Sequence, residues 1–246
     1  MNETIKLLLS HKSDRSYLEK ELPEEVLDNV INAAWRAPTS VHSQQVSVIV
    51  TRDPVTKARI AELSGGQPWI VRAPVFLTFV LDLNKTHKGL DAIGEKQLAH
   101  TSVEGIISGA QDVGIALASA MLAARSQGLG AVPIGGIRKN PQEIIELLEL
   151  PEMTFPINGL TIGYVDQPGH LKPRLPHPSF RHEEKYFSDK MGAMIEQHNA
   201  ELTAHWQAIS RKDGDNWSRT VGDYYNRIYY PDILPVLLQQ GFKLDK

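Results

Sequence analysis

The apolar positions of this chain fall into helical and strand periods that alternate along most of its length. Val103 to Gln127 reads as one long helix, with Ile106, Ile107, Val113, Ile115, Leu117, Met121 and Leu122 interleaved with glycines and alanines. A surface helix shows one apolar stripe and one charged face. Here only Glu104, Asp112 and Arg125 are charged, so the pattern predicts a helix buried nearly all round. The stretch between Asp112 and Arg125 is too short to cross a bilayer, which takes ~20 apolar residues. Its small residues point to close backbone packing, including packing against the same helix of a second subunit. Gly128 and Gly130 then end the helix, as glycine does just past a terminus.

Shorter elements surround it. Thr4 to Ser10 and Pro23 to Trp35 are amphipathic helices, the second stopping before Pro38. Val46 to Thr51 is a β-branched strand, and Asp53 to Leu63 a helix leading to the turn Gly65-Gly66-Gln67. Ala73 to Leu81 is apolar on both faces, which predicts a central strand. Asp82 to His100 is polar and reads as beginning in a loop. Ala131 to Ile134 runs into the glycine doublet Gly135-Gly136. Asn140, Pro141 and Glu143 have the pattern of a helix start with Asn140 as N-cap, and that helix runs to Leu150. Pro156 to Tyr164 is a strand. From Pro178 the chain is polar and helical, rich in tyrosine between 224 and 230, and closes with a helix from Asp232 to Gln240 stopped by Gly241.

Composition narrows the function. The 246 residues suffice for one large core, and a net charge of −3 points to neither nucleic acid nor an anionic membrane as partner. The sequence has no cysteine, which removes disulfides, thiolate metal sites and cysteine nucleophiles. The N-terminus carries too short an apolar run for a signal peptide, so a cytoplasmic protein is expected. No G-x-G-x-x-G follows a strand and opens a helix, and neither a P-loop nor a G-x-S-x-G elbow occurs. His182-Glu183-Glu184 lacks the second histidine of a zinc-protease helix, and no metal site is expected.

Three segments could carry chemistry. In an extended His11-Lys12-Ser13-Asp14-Arg15, side chains alternate, so His11, Ser13 and Arg15 share one side. An imidazole, a hydroxyl and a guanidinium there suit a phosphate and polar ring edges; a solvated charged turn is the plainer alternative. Pro133-Ile134-Gly135-Gly136 offers backbone that can approach a flat ligand, or simply joins a helix to a strand. Lys172-Pro173-Arg174 sets two cations about a rigid proline, or is a solvated linker.

Read together with Ala37-Pro38-Thr39-Ser40 and Gly65-Gly66-Gln67, these segments resemble the FMN-dependent nitroreductase and flavin reductase family. The match is to its NADPH-linked, oxygen-insensitive branch, and it spans nearly the whole chain. The resemblance implies an α+β fold with a central mixed sheet flanked by helices, a long buried helix, and an interlocked homodimer. It implies an FMN-binding core over 1–176 and a helical excursion over 177–246 that packs on the core and on the partner subunit. Carried over by position, His11 and Ser13 approach the phosphate and ribityl end, with Lys12 and Asp14 beside them, and Arg15 reaches the pyrimidine edge. Lys172 and Arg174 hold the phosphate, Thr39 and Ser40 come from the second subunit, and Gln67 meets the ring or ribityl chain. Pro133, Ile134, Gly135 and Gly136 lie by the flavin N5 region. Relatives often carry arginine at Lys12 and serines at Pro38 and Thr39. The implied activity is transfer of hydride from NADPH, or NADH, through FMN to free flavins, nitroaromatics or quinones in ping-pong order. Arg211 and Lys212 are the candidates for the dinucleotide phosphate. The alternative is an FMN-binding protein that passes reduced flavin to a partner.

A phosphate near pH 7 carries close to two negative charges. Without a glycine loop at a helix terminus, side-chain cations must hold it. Hydride reduction puts negative charge on the pyrimidine side of the ring, where a fixed Arg15 guanidinium would stabilise it. The cofactor supplies the chemistry itself, so no acid–base dyad is required.

Overall fold

The computed structural model describes residues 1–244. In chain order the elements are α1 (Glu3–Leu9), α2 (Glu24–Trp35), β1 (Val46–Thr51), α3 (Pro54–Leu63), α4 (Pro68–Arg72), β2 (Val75–Asp82), α5 (Leu83–Asp91), α6 (Val103–Ser126), β3 (Gly130–Ile134), α7 (Pro141–Leu147), β4 (Thr154–Gly163), α8 (Met191–Ala208), α9 (Trp217–Tyr225) and α10 (Ile233–Gln239). The described chain divides into two units, one of residues 1–169 with 232–244, the other of residues 170–231.

The first unit is α+β. Its sheet has the order β1-β2-β4-β3, and every described pairing is antiparallel. The expected mixed sheet is therefore corrected. Burial of a strand on both faces does not require parallel neighbours, only cover on both sides. β2 shows this: every residue from Val75 to Asp82 is buried, and its faces serve different cores. Val75, Leu77 and Phe79 pack with Leu27 and Val30 of α2 and with Val113, Ala116 and Ala120 of α6. Phe76 on the other face packs with Ile60, Ile70, Val132 and Ile134. A third cluster joins Leu81 and Phe155 to Val236, Leu237 and Phe242, so the last helix belongs to this unit. Gly109 lets α6 press onto β2, since a Cβ there would sit 2.0 Å from a Leu81 methyl.

Four further expectations are corrected. The stretch after Asp82 is not a loop at its start: Asp82 accepts from the Lys85 backbone N–H and caps α5. α6 is not buried all round within one chain, because Val103, Ile107, Gln111, Gly114 and Ala118 form an exposed stripe along it. At 24 residues α6 is also long and apolar enough to span a bilayer by length and composition, but its other face is the core of this unit. Asn140 precedes α7 without capping it with its side chain; that amide donates instead to the Leu63 carbonyl at 2.6 Å. α7 also stops at Leu147, short of the expected end.

In the second unit, α8 and α9 pack together. His198, Leu202 and Trp206 are buried on one side of α8. Tyr229 stacks on Tyr230 at 4.1 Å and meets Tyr224 edge-on at 5.0 Å.

Candidate functional site

The segment after α1 is extended and pinned to the edge of the sheet. The Asp14 N–H donates to the Ala131 carbonyl, and the buried Asp14 carboxylate accepts from the Gly169 N–H at 2.9 Å. Tyr17 donates its hydroxyl to the Asp14 carbonyl and bridges to Val165. Burial keeps that phenol well above the usual tyrosine range. Gly130 makes the contact possible, because a Cβ there would lie 2.8 Å from that of Asp14. Asp14 thus spends its side chain inside the fold, while Arg15 is exposed. The Arg15 guanidinium lies 5.3 Å from the centre of the Trp69 ring.

Trp69 follows Gln67 at the start of α4, and the turn before it is built on glycine. Gly65 and Gly66 take φ of +92° and +74°, values that favour glycine. Gln67 donates to the Ser64 carbonyl at 2.8 Å. This turn rests against the end of β3: a Cβ on Gly136 would lie 2.4 Å from the Gln67 amide nitrogen and 2.5 Å from the Ser64 oxygen. Gly135 is less crowded, with only the Arg138 guanidinium near, at 3.4 Å. β3 pairs on one side only, so Pro133 has no ladder hydrogen bond to forfeit. A bulge in β4 opposite Phe79 and Val80 accompanies a hydrogen bond from Arg138 to the Ile157 carbonyl.

An extended segment, a turn and a strand end thereby meet in one patch of the first unit. Arg15 lies against Trp69, two residues past Gln67, and Gln67 in turn lies against Gly136, with Pro133, Ile134 and Gly135 just upstream. His11, Lys12 and Ser13 lie on the segment that Asp14 anchors. Trp69 was not foreseen from sequence; it stands next to a proline in a five-residue helix, where no period marks it. The Ser64 hydroxyl and the Trp69 indole N–H flank Gln67 as buried polar atoms with no hydrogen-bond partner in the structure. A guanidinium, an amide, unpaired polar atoms and a glycine doublet make a donor set that fits the polar edge and face of a flavin.

Thr39 and Ser40 do not join this patch. Thr39 accepts from the Gln44 N–H, and the Ser40 N–H donates to Asp112 of α6, a residue that the sequence marked only as one of three charges in the helix. Thr39 also lines a cavity of about 530 Å³ with Ile31, Trp35, Val46 and Val48.

In the second unit, Lys172 and Arg174 border a cavity of about 750 Å³ with Phe180, Leu202, Trp206 and Trp217. The Lys172 ammonium is 5.5 Å from the Trp206 ring centre. Arg211 lies over the same ring at 4.6 Å and pairs with Asp213 at 3.1 Å, holding that carboxyl below its usual range. Lys212 is exposed.

Comparison with known proteins places these features in context. A model of the nitroreductase family matches residues 8–164, and one of the nitroreductase family C-terminal domain matches residues 172–245. An FMN reductase [NAD(P)H] of Bacillus subtilis is 44% identical over 249 residues, covering 100% of both chains. The solved structure of B. megaterium NfrA2 superposes with a TM-score of 0.97 at 40% identity, covering 100% of both chains. The NADPH:FMN oxidoreductase of Vibrio harveyi, solved with NAD+, gives 0.89 at 29% identity, covering 98% of this chain and 99% of that one.

Proposed function

The chain belongs to the nitroreductase family, and on that premise we propose that it is an NAD(P)H-dependent FMN reductase acting as a homodimer. It uses NADPH, and NADH as a second reductant, to reduce free flavins, nitroaromatics and quinones. One site serves reductant and acceptor in turn, in ping-pong order. The observation that carries this reading is the run of contacts from Arg15 to the Trp69 ring beside Gln67, and from Gln67 to Gly136, between segments far apart in sequence. The names of the relatives support it: FMN and NAD(P)H stand in that of the Bacillus subtilis reductase.

When bound, FMN would supply the redox chemistry of hydride transfer between dinucleotide and acceptor. The chain's own residues bind and polarise. Arg15 is a positive charge for the pyrimidine edge and lies against the Trp69 face. Such preorganised charge acts without reorganisation during the reaction. Gln67 orients the ring or ribityl chain. The backbone at Gly135 would hydrogen-bond near N5. His11, Lys12 and Ser13 serve the phosphate and ribityl end, and the family resemblance assigns Lys172 and Arg174 to the phosphate. Thr39 and Ser40 act on the cofactor of the second subunit. Arg211 or Lys212 meets the dinucleotide phosphate.

The deciding experiment is the visible spectrum of the purified protein, taken anaerobically. We expect flavin absorbance that bleaches on NADPH and returns when free FMN or a nitroaromatic is added. A protein that stays colourless after incubation with FMN would refute the reading. So would a yellow protein that NADPH leaves unbleached, the behaviour of a flavin carrier without turnover.

A further inference from the structure

We propose that Asp112 is a positioning residue that fixes loop 39–45 for cofactor binding. The inference rests on the family reading above, which gives Thr39 and Ser40 to the flavin of the second subunit.

Asp112 sits in the middle of α6 and is 1% exposed. Both of its carboxylate oxygens lie 3.1 Å from the Ser40 backbone nitrogen, and the Ser40 hydroxyl donates to Oδ1 at 3.4 Å. The Gln45 amide donates to Oδ2 at 2.9 Å. One buried carboxylate therefore ties down both ends of the loop. Between those ends Val41, His42 and Gln44 take φ of 46°, 57° and 52°. The left-handed region is costly for any residue with a Cβ, and most so for a β-branched one such as Val41. The Val41 side chain is 98% exposed, so its own packing does not repay that cost within the chain. Strained backbone persists where its surroundings over-determine it, and it concentrates at functional sites.

Packing of α6 does not call for a carboxylate here. Val113 and Ala116 beside it fill the core. An ionised carboxylate accepts hydrogen bonds and donates none, so it suits a place where the N–H and O–H groups of a loop converge. Asp112 need not touch the flavin. It holds the Thr39–Ser40 peptide in one geometry before the cofactor arrives, so that binding does not bear the cost of ordering the loop.

Asp112→Asn keeps the volume but turns a donor toward the N–H groups of Ser40 or Gln45. In the full-length holoprotein we expect FMN to bind at least tenfold more weakly, read by quenching of flavin fluorescence. Amide hydrogen exchange should quicken over residues 39–45 and stay unchanged over residues 116–124. Adding Val41→Gly to Asp112→Asn should recover part of the affinity, because glycine enters the left-handed region without strain. A plain packing defect would not respond to that change. Wild-type affinity in Asp112→Asn, loss of protection spread evenly along α6, or no recovery with Val41→Gly overturns the proposal. Should Asp112→Asn fail to fold, Ser40→Pro removes the same N–H from the loop side, with weaker FMN binding expected and unchanged binding fatal. If the wild-type protein binds no FMN, the proposed function fails instead, and the exchange measurement still decides whether Asp112 fixes the loop.

Discussion

Arg15 and Arg211 both lie against a tryptophan ring, yet their surroundings differ. Arg15 projects from a segment that Asp14 and Tyr17 lock to the sheet, so its base is rigid. Replacing it with alanine should slow anaerobic bleaching of bound flavin by NADPH by about tenfold or more, as for loss of a preorganised charge. Stopped-flow absorbance measures this, and an unchanged rate would remove Arg15 from the ring edge. Arg211 is shared with Asp213, which already takes part of its charge. Arg211→Ala should narrow the ratio of NADPH to NADH turnover, and an unaltered ratio leaves Lys212 as the phosphate candidate. Lys172→Ala and Arg174→Ala should each weaken FMN binding by about 2 kcal/mol, the scale of a charge-assisted contact. Undiminished flavin content in both would count against that assignment. Alternation in 11–15 predicts that Arg15 and Asp14 face opposite ways, and the structure has one exposed and the other buried. The sequence carries no sign of the contacts of Trp69 and Asp112, because their partners are remote in the chain. Asn140 was misread for a related reason: the signature of an N-cap is local, and the Leu63 carbonyl that captured its amide is not.

Most of the strands and helices could be read from period and β-branching, since burial of one face or two leaves its mark on composition. Strand direction was less legible. A strand covered on both faces is apolar throughout whether its neighbours run parallel or antiparallel, so β2 gave its depth but not its pairing. α5 was hidden because its cap, Asp82, is the last residue of a strand and only Leu83 of the helix is buried. The glycine doublet offers a contrast between adjacent residues. A methyl on Gly136 would overlap the Gln67 amide and the Ser64 carbonyl, so the turn before α4 must move. Gly136→Ala should cost about 1–3 kcal/mol, the range for overpacking, and lower flavin content with it. Gly135→Ala meets only a flexible guanidinium end at 3.4 Å and should cost well under 1 kcal/mol. Urea denaturation of the two variants side by side measures the difference. Equal stabilities would show that the turn does not rest on Gly136.

At the scale of the molecule the exposed stripe of α6 is the feature a single chain leaves unexplained. Val103 and Ile107 are 60% and 56% exposed, and Gly114 and Ala118 continue the same face with almost no side chain. On neighbouring elements Trp35 is 69% exposed and Val41 98%. Apart from Gln111 the exposed positions are apolar or small, and large exposed apolar patches on soluble proteins mark interaction surfaces. Small residues along a helix allow a second backbone to come close, and the bulkier Val103 and Ile107 at its N-terminal end widen the contact. Stable interfaces bury roughly 1,200–2,000 Å², more than one helix can offer, so the flanking Trp35 and Val41 must join it. We therefore expect the protein to sediment at about twice its chain mass of 27.4 kDa. Ala118→Glu places an unpaired charge in the middle of the stripe and should yield monomers. Because Thr39 and Ser40 are given to the partner's cofactor, the monomers should also lose flavin. Sedimentation followed at the flavin absorbance tests both consequences in one run. A monomeric wild type, or an Ala118→Glu monomer that keeps its flavin, would sever the link between assembly and cofactor binding.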